Sequence, residues 1–310
     1  MRFILFSFLL LCSCEALAQA GVEVLLPNDS AMLSGTLVVP PDQSSKDVVL
    51  FFAGSGPTDR DGNTGSQYVN NSLKMLAQGF ANEGIASLRF DKRGIGKSTF
   101  EGGEEDLVFD DFVSDGLAWV ELLSKDKRFD DIFVLGHSQG SLVAALVARD
   151  ERVKKYVSIA GVGRPADELI LSQLEEQSSF LGMVAAPKLD SLKEGHMVAD
   201  PGPPLNSIFR KSTQPFLMSW FAYNPAEIVS KLDKPVLIVN GTTDIQVSVE
   251  DAEELHNAAP VSELFIVEGM NHVLKDAPQE RMANLKVYSD PDLPLSQGLA
   301  EKIVEFLNAE

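Results

Sequence analysis

A serine flanked by glycines occurs in the pentapeptide GHSQG, residues 136–140. A short apolar run, residues 132–135, precedes it, and a segment with apolar residues at helical spacing, residues 141–147, follows it. The order strand, Gly-x-Ser-x-Gly, helix is typical of a nucleophile elbow, in which a strained turn exposes the serine and the glycines avoid collisions. The sequence therefore predicts that Ser138 is a nucleophile for acyl transfer.

A serine hydroxyl needs a base beside it, and the chain has four histidines. His137 lies on the predicted turn and is expected to point elsewhere, His196 falls in a segment that is predicted below to form a cap, and His256 falls in an acidic helical segment. His272 alone follows the last predicted strand, residues 264–267, and active sites gather at the carboxyl ends of parallel strands. We therefore predict that His272 is the general base; an imidazole with a packing role only is the alternative.

The acid that orients the base is expected between the serine and the histidine in chain order. Asp244 lies there, shortly after the predicted strand 236–239. It would accept a hydrogen bond from His272, fix the tautomer of the ring and stabilise the imidazolium that forms. The alternative interpretation of Asp244 is a carboxylate that caps a turn or a helix.

Backbone N–H groups are expected to stabilise the oxyanion of the reaction. The residue after the nucleophile, Gln139, is the first predicted donor. The second should come from the segment GSGPTDRDGN, residues 54–63, where glycines allow the main chain to approach a substrate closely. We favour Ser55 over Gly56 as this donor, and a plain glycine-rich turn is the alternative.

The residues of the predicted site must be positioned by regular elements, and short apolar runs are the candidate strands. They occur at residues 48–53, 85–90, 132–135, 156–159, 236–239 and 264–267, with segments of helical spacing between several of them. Runs of this kind are typical of parallel strands covered by helices on both faces, so the pattern predicts a doubly wound, mostly parallel α/β sheet. Residues 22–26 and 33–39 flank a turn and predict an antiparallel hairpin before it.

The alternation of strand and helix is interrupted between about residues 166 and 230. A connection of this length without structure of its own would be unusual, so we predict a small helical cap over the end of the sheet. Its aromatic residues Trp220, Phe221 and Tyr223 are predicted to shape an apolar substrate pocket. For each of the three, packing within the protein is the alternative.

The first twenty residues are typical of an export signal. Arg2 precedes an apolar run, and small residues end the segment, which predicts cleavage after Ala20, a mature domain of residues 21–310, and a periplasmic or secreted protein. The run is too short for a stable membrane span. A buried first strand and a lipoprotein attached through Cys14 are the alternatives. Both cysteines lie in this segment, so the mature chain would have no disulfide, zinc-thiolate site or cysteine nucleophile.

The chain is acidic, with 45 Asp and Glu against 26 Lys and Arg and a formal net charge of −19. A field of this sign repels phosphate backbones and anionic lipids, so nucleic acid is not an expected partner. Solubility is the simplest role of the charge, and steering of a cationic substrate is the alternative. The sequence contains no metal-binding, phosphate-loop or cofactor motif, so no metal and no cofactor are predicted.

Together these segments resemble bacterial α/β-hydrolases of the serine esterase and aminopeptidase-like group, over nearly all of the mature sequence. The elbow, residues 54–63, the segment DKRGIGKS at residues 91–98, and the segments around Asp244 and His272 carry the resemblance. In that group the 91–98 pattern is a structural loop near the active site, and it lacks the spacing of a dinucleotide site. Lipases of the hormone-sensitive type have His-Gly-Gly-Gly where this chain has AGSG, so that subgroup is not indicated.

Three functions follow as hypotheses. The first is hydrolysis of a small-molecule carboxylic ester through a Ser-His-Asp triad and an acyl-enzyme. The second is an aminopeptidase or amidase on the same triad, in which acidic residues of the cap hold the substrate ammonium. These residues are Asp167, Glu168, Glu175 and Glu176. The other interpretation is that they form a helix face exposed to solvent. The third is a non-catalytic exported binding protein of the same fold, against which the intact triad argues.

Overall fold

One sheet forms the centre of the protein in the computed structural model, which describes residues 21–40 and 45–309. The strands of this part are β1 (Val22–Asn28), β2 (Ala31–Val38), β3 (Asp47–Phe52), β4 (Ala86–Phe90), β5 (Thr99–Phe100), β6 (Asp131–His137), β7 (Val153–Ile159), β8 (Val236–Gly241) and β9 (Ser262–Val267). Their order is β1-β2-β4-β3-β6-β7-β8-β9, with β5 paired to β2. β2 pairs antiparallel with β1 and β4, and the neighbours from β4 to β9 are parallel. The predicted mostly parallel sheet and N-terminal hairpin are confirmed.

Helices cover both faces of the sheet. The helices of the described residues are α1 (Ser72–Asn82), α2 (Phe109–Ser124), α3 (Gln139–Val147), α4 (Ala166–Gln177), α5 (Ser179–Lys193), α6 (Asn206–Phe209), α7 (Gln214–Phe221), α8 (Pro225–Val229), α9 (Val249–Ala258), α10 (Arg281–Val287) and α11 (Leu299–Asn308). Helices α2, α3 and α9 pack on one face, and α1 and α11 pack on the other.

The central strands divide their side chains between these two faces. In β6, Ile132 and Val134 enter the core under α2 and α3, whereas Phe133 and Leu135 enter the core under α1 and α11. Successive side chains of a strand point to opposite faces, and both faces are buried here. This is why the strand reads as a continuous apolar run in the sequence and does not alternate with polar residues.

Helices α4 to α8 lie between β7 and β8 and form the cap, residues 166–229. Helices α4 to α7 pack around an apolar cluster of their own, which includes Ala185, Leu189 and Phe209, whereas Val229 of α8 belongs to the core under α2 and α3. Because the cap buries these side chains among its own helices, its internal packing is separate from the two cores of the sheet. The sequence pattern placed the cap at about residues 166–230.

Helix α10 and strand β5 were not predicted from the sequence. Helix α10 is only seven residues long, and the Glu280 carboxylate caps it by accepting hydrogen bonds from the N–H groups of Met282 and Ala283. A helix this short has too few turns to show a clear apolar periodicity. The predicted signal segment, residues 1–20 with Cys14, lies outside the described residues. Among the described helices, none has the length and apolar composition needed to cross a membrane.

Candidate active site

Ser138 lies at the sharp turn between β6 and α3, with φ 55° and ψ −125°. A positive φ is unfavourable for a residue with a side chain, and the surrounding structure holds it: the Ser138 N–H donates to the Ile159 carbonyl at 2.9 Å. Gly136 and Gly140 must be glycines because neighbouring atoms leave no room for a Cβ at either position. A Cβ at Gly136 would lie 2.2 Å from the Gly140 oxygen, and one at Gly140 would lie 2.3 Å from the Phe52 oxygen. The turn is therefore the predicted elbow.

His272 and Asp244 are brought together at the same edge of the sheet. The His272 Nδ1 lies 2.8 Å from the Asp244 Oδ2, and the two side chains are 6% and 1% exposed. An ionised carboxylate can only accept, so Nδ1 donates and Nε2 remains for a serine hydroxyl. The second carboxylate oxygen accepts the N–H groups of Gln246 and Val247 at 2.8 and 3.0 Å. Asp244 thus orients the imidazole and is itself held by the loop after β8.

His137 supports the backbone of His272. The His137 Nε2 donates to the His272 carbonyl at 2.7 Å, and the two ring centroids are 4.8 Å apart. Burial, and then the neighbouring His272, lower the pKa of His137 to about 3, so its ring is neutral at neutral pH. The sequence analysis expected this side chain to point elsewhere. Its position next to Ser138 on the elbow was the signal that could have identified it.

The glycine-rich chain after β3, residues 54–71, passes close to Ser138 and is called loop 54–71 below. A Cβ built on Gly54 would lie 3.3 Å from the Ser138 Cβ, so Ser55 and Gly56 follow at the mouth of the elbow. On the other side, Gln139 is the first residue of α3, and its N–H has no acceptor within the helix. The segments predicted to donate to an oxyanion therefore flank Ser138. Their N–H groups as the donors stay a prediction.

Loop 54–71 is tied to β4 and the segment after it by buried charges. Arg60 Nη2 lies 2.7 Å from Asp91 Oδ2, and Arg89 Nη1 lies 2.5 Å from Asp61 Oδ1. Burial opposes ionisation of Asp91, but the hydrogen bonds from Arg60 and from backbone N–H groups outweigh it and hold the pKa of this carboxyl below its usual value. Lys92, the next residue, donates from Nζ to carbonyl oxygens of the loop. Sequence reasoning missed Lys92, although it directly follows a buried strand and Asp91.

A cavity of about 350 Å³ opens at Ser138 and His272. Its other walls come from loop 54–71, from the chain after β8, and from α10 with the residue after it. The polar and apolar side chains of these walls include Thr64, Tyr68, Asn70, Gln246, Leu285 and Tyr288. Among the described residues that line the cavity, none is Asp or Glu.

The three predicted aromatic residues of the cap have different surroundings. Trp220 lines a narrow cleft of about 10 Å³ on the cap side of Ser138. Phe221 is buried in the apolar cluster of the cap. The Tyr223 hydroxyl donates to Asp110 at 2.5 Å, and its ring packs on Phe109. Of the three, Trp220 alone lines a cleft beside Ser138 in the described structure, and its ring also stacks on Phe109.

The acidic residues of α4 lie away from the large cavity. Asp167 forms an ion pair with Lys193 at 2.6 Å. Glu168, Glu175 and Glu176 are exposed to solvent. Among the residues that the structure describes, no group of three or more His, Cys, Asp and Glu side chains is arranged to hold a metal ion.

Several known proteins are similar to this chain in sequence or in structure. A family model described as serine aminopeptidase, S33, matches residues 67–202. Esterase EstD of Thermotoga maritima is 27% identical over 267 residues, which cover 81% of this chain and 61% of the relative, so the chain spans about three fifths of that protein. Est1E from Butyrivibrio proteoclasticus with bound ferulic acid matches with a TM-score of 0.61 and 19% identity, over 92% of this chain and 100% of the other. The Pyrococcus furiosus esterase Pf2001 matches with a TM-score of 0.59 and 19% identity, over 94% and 90%.

Proposed function

This chain has the α/β-hydrolase fold and its resemblance to the serine esterase and aminopeptidase-like group is confirmed, and from this premise we propose that it hydrolyses carboxylic esters. The observation that carries the proposal is that Ser138 and His272 line one cavity while Asp244 bonds the His272 ring from behind it. Ser138 lies half-buried on a strained elbow and lines the cavity, and His272, oriented by Asp244, lines the same cavity. A strained backbone at a serine is costly, on the order of 1–3 kcal/mol, which a merely binding protein would not need.

In the proposed reaction, the Ser138 hydroxyl attacks the ester carbonyl while the Nε2 of His272 takes its proton. Asp244 stabilises the imidazolium that results. The N–H groups of Gln139 and Ser55 hold the oxyanion, each contributing about 3 kcal/mol to stabilisation of the transition state. His272 then returns the proton to the departing alcohol, and a water molecule, activated by the same imidazole, hydrolyses the acyl-enzyme.

The absence of carboxylates from the walls of the cavity favours an ester over a peptide with a free amino terminus. An aminopeptidase needs acidic groups to hold the substrate ammonium, and the described residues that line the 350 Å³ cavity provide none. Asp167 is paired with Lys193, and the other acidic residues of α4 face solvent. The name of the relative EstD, an esterase, supports the same choice.

The test is hydrolysis of p-nitrophenyl acetate and butyrate, compared with aminoacyl-coumarin amides whose amino group is free or blocked. The wild-type protein should cleave the esters, and Ser138→Ala should lower kcat by about 10⁴-fold or more. Ser124→Ala is the matched control, because it removes a serine hydroxyl at the exposed end of α2, away from the cavity. A fluorophosphonate probe should label the wild type and this control, but not Ser138→Ala.

Preferential cleavage of amides with a free amino group would favour the aminopeptidase instead. Equal turnover of esters by the wild type and Ser138→Ala would contradict the proposed nucleophile. A folded wild-type protein that neither cleaves short esters nor reacts with the probe would support a binding protein.

A further inference from the structure

A buried lysine, Lys92, contacts the main chain that passes in front of the nucleophile. Its ammonium donates to the carbonyl oxygens of Gly54 and Gly56, the second at 2.6 Å. The side chain belongs to the 91–98 segment but reaches into the protein, and the residue is 7% exposed. Two hydrogen bonds from a single Nζ thus hold both ends of the Gly54-Ser55-Gly56 turn.

Lys92 differs from the other buried cations of this region. Arg60, Arg89 and Arg93 each form an ion pair with an aspartate. For Lys92, the described structure shows carbonyl partners and no paired carboxylate. Burial lowers the pKa of Lys92 to about 7. A methionine or leucine would fill this space without the desolvation penalty, which for a buried ion is several kcal/mol.

The geometry of the peptide bond connects this contact to the reaction. The Gly54–Ser55 peptide is trans and planar, so its C=O and its N–H point in opposite directions. An ammonium bound on the carbonyl side therefore fixes the direction of the Ser55 N–H. A hydrogen bond from a cation to the carbonyl also polarises the amide and strengthens its N–H as a donor.

A second contact fixes the next peptide. The Ser55 carbonyl accepts the Thr58 hydroxyl at 2.8 Å, and Gly56 has a φ of 63°, where a side chain would be strained. The three successive carbonyls of residues 54–56 are therefore all bound by side-chain donors of the protein. With the carbonyls held, the orientation of the intervening N–H groups is set before any substrate binds.

We propose that Lys92 is a positioning residue of the hydrolytic reaction, which binds the Gly54 and Gly56 carbonyls and thereby aims the Ser55 N–H at the oxyanion. This inference rests on the proposed function, because an oxyanion forms only when Ser138 attacks an acyl substrate. Lys92 does not touch the substrate and transfers no proton. Its effect is therefore expected on transition-state binding and not on binding of the ground state.

The test compares Lys92→Met with the matched control Lys97→Met. Methionine has a similar length but neither charge nor N–H donors, and Lys97 lies in the same segment with its ammonium at the surface, paired with Glu23. We expect Lys92→Met to lower kcat for p-nitrophenyl butyrate by about 10- to 100-fold with KM within about threefold, since loss of one oxyanion donor has effects of this size or larger. The inhibition constant of an alkyl boronic acid, which forms a tetrahedral adduct on Ser138, should rise by a similar factor. Lys97→Met should behave as the wild type.

Several outcomes would overturn the proposal. Unchanged kcat in folded Lys92→Met contradicts it, and so does a lower kcat with unchanged boronic acid inhibition, because the oxyanion donors would then be intact without Lys92. If Lys92→Met does not fold, Lys92→Gln decides the question, because its uncharged amide ends one atom short of the lysine Nζ and so should lose the two bonds to the Gly54 and Gly56 carbonyls. Full activity and full inhibition in this variant contradict the proposal. A wild-type protein without Ser138-dependent ester hydrolysis refutes the proposed function, whereas an active wild type with a fully active Lys92→Met refutes only the role of Lys92.

Discussion

Loop 54–71 and the cap approach Ser138 from different sides and are held by different forces. The loop has an irregular backbone fixed by directional contacts, which include the Arg60–Asp91 ion pair and the Asn63 side chain, whose amide oxygen accepts two backbone N–H groups. The cap is a set of helices around an apolar cluster, and it docks on α2 through aromatic rings, with Trp220 stacked on Phe109 at 6.0 Å.

The difference indicates that loop 54–71 and the cap, which form two walls around Ser138, have different roles. Charged hydrogen bonds require a particular geometry, so a wall built from them can place a backbone N–H accurately beside Ser138. Apolar contacts are non-directional, so a wall built from them can change its side chains while the catalytic groups stay in place. We therefore expect mutations of the loop to change stability and kcat, and mutations of the cap to change which substrates are accepted.

Asp91→Asn should have the largest effect on stability. It removes the charge that binds the buried Arg60 guanidinium, and breaking a buried ion pair by removing one partner costs about 3–5 kcal/mol. The free energy of unfolding, measured by urea titration with circular dichroism, should fall by this amount, and kcat should fall in the fraction that remains folded. A loss below 1 kcal/mol would show that the loop does not depend on this contact.

Trp220→Leu should change the preference for acyl chain length. The substitution enlarges the narrow cleft beside Ser138, and one added methylene in an apolar pocket changes specificity by about tenfold or more. The ratio of kcat/KM for p-nitrophenyl octanoate to that for the acetate should rise by about tenfold. Tyr223→Phe is the control, because its ring packs on the same Phe109 but lies away from the cleft. An unchanged ratio in Trp220→Leu would place substrate selection outside the cap.

His137→Gln should reduce the loss of stability in acid. Folding lowers the pKa of His137 from 6.5 to about 3, so between these values the unfolded chain binds a proton that the folded chain does not. The stability that depends on the neutral ring is complete above pH 6.5 and is lost as the pH falls toward 3. Glutamine can still donate to the His272 carbonyl but does not titrate. As the pH falls from 6.5 to 3, the unfolding free energy of the wild type should therefore decrease more steeply than that of the variant, by up to about 1.4 kcal/mol per pH unit. Above pH 7 the two plots of unfolding free energy against pH should be parallel. Equal slopes between pH 3 and 6.5 would exclude a buried neutral His137.

Glu104→Gln should have the smallest effect. Glu104 bonds Arg210 and Ser212 at the edge of the cap, and both partners of the ion pair are 43% exposed. Ion pairs of this kind contribute about 0–1 kcal/mol because solvent screens them. Thermal unfolding should change little, and kcat should be unchanged. A loss comparable to that of Asp91→Asn would mean that polar contacts hold the cap as firmly as they hold the loop.

The sequence alone predicted the parts of the candidate site whose signals are local. The elbow is recognisable because its strain requires glycines at fixed positions around Ser138, and the parallel strands are recognisable because both of their faces are buried. The order of Asp244 and His272 after their strands could be inferred because the carboxyl ends of parallel strands lie at one edge of the sheet. These features depend on neighbours in the chain or on a regular repeat.

The tertiary structure decided what depends on contacts distant along the chain. Phe221 and Tyr223 look like Trp220 in the sequence, and only their packing shows that one ring of the three lies at the cleft. Lys92 and Lys97 share one segment, yet the first reaches the main chain at residues 54–56, 36 or more positions away, and the second reaches solvent. The burial and partners of a side chain are set by elements far apart in sequence, and no local pattern of residue types records them.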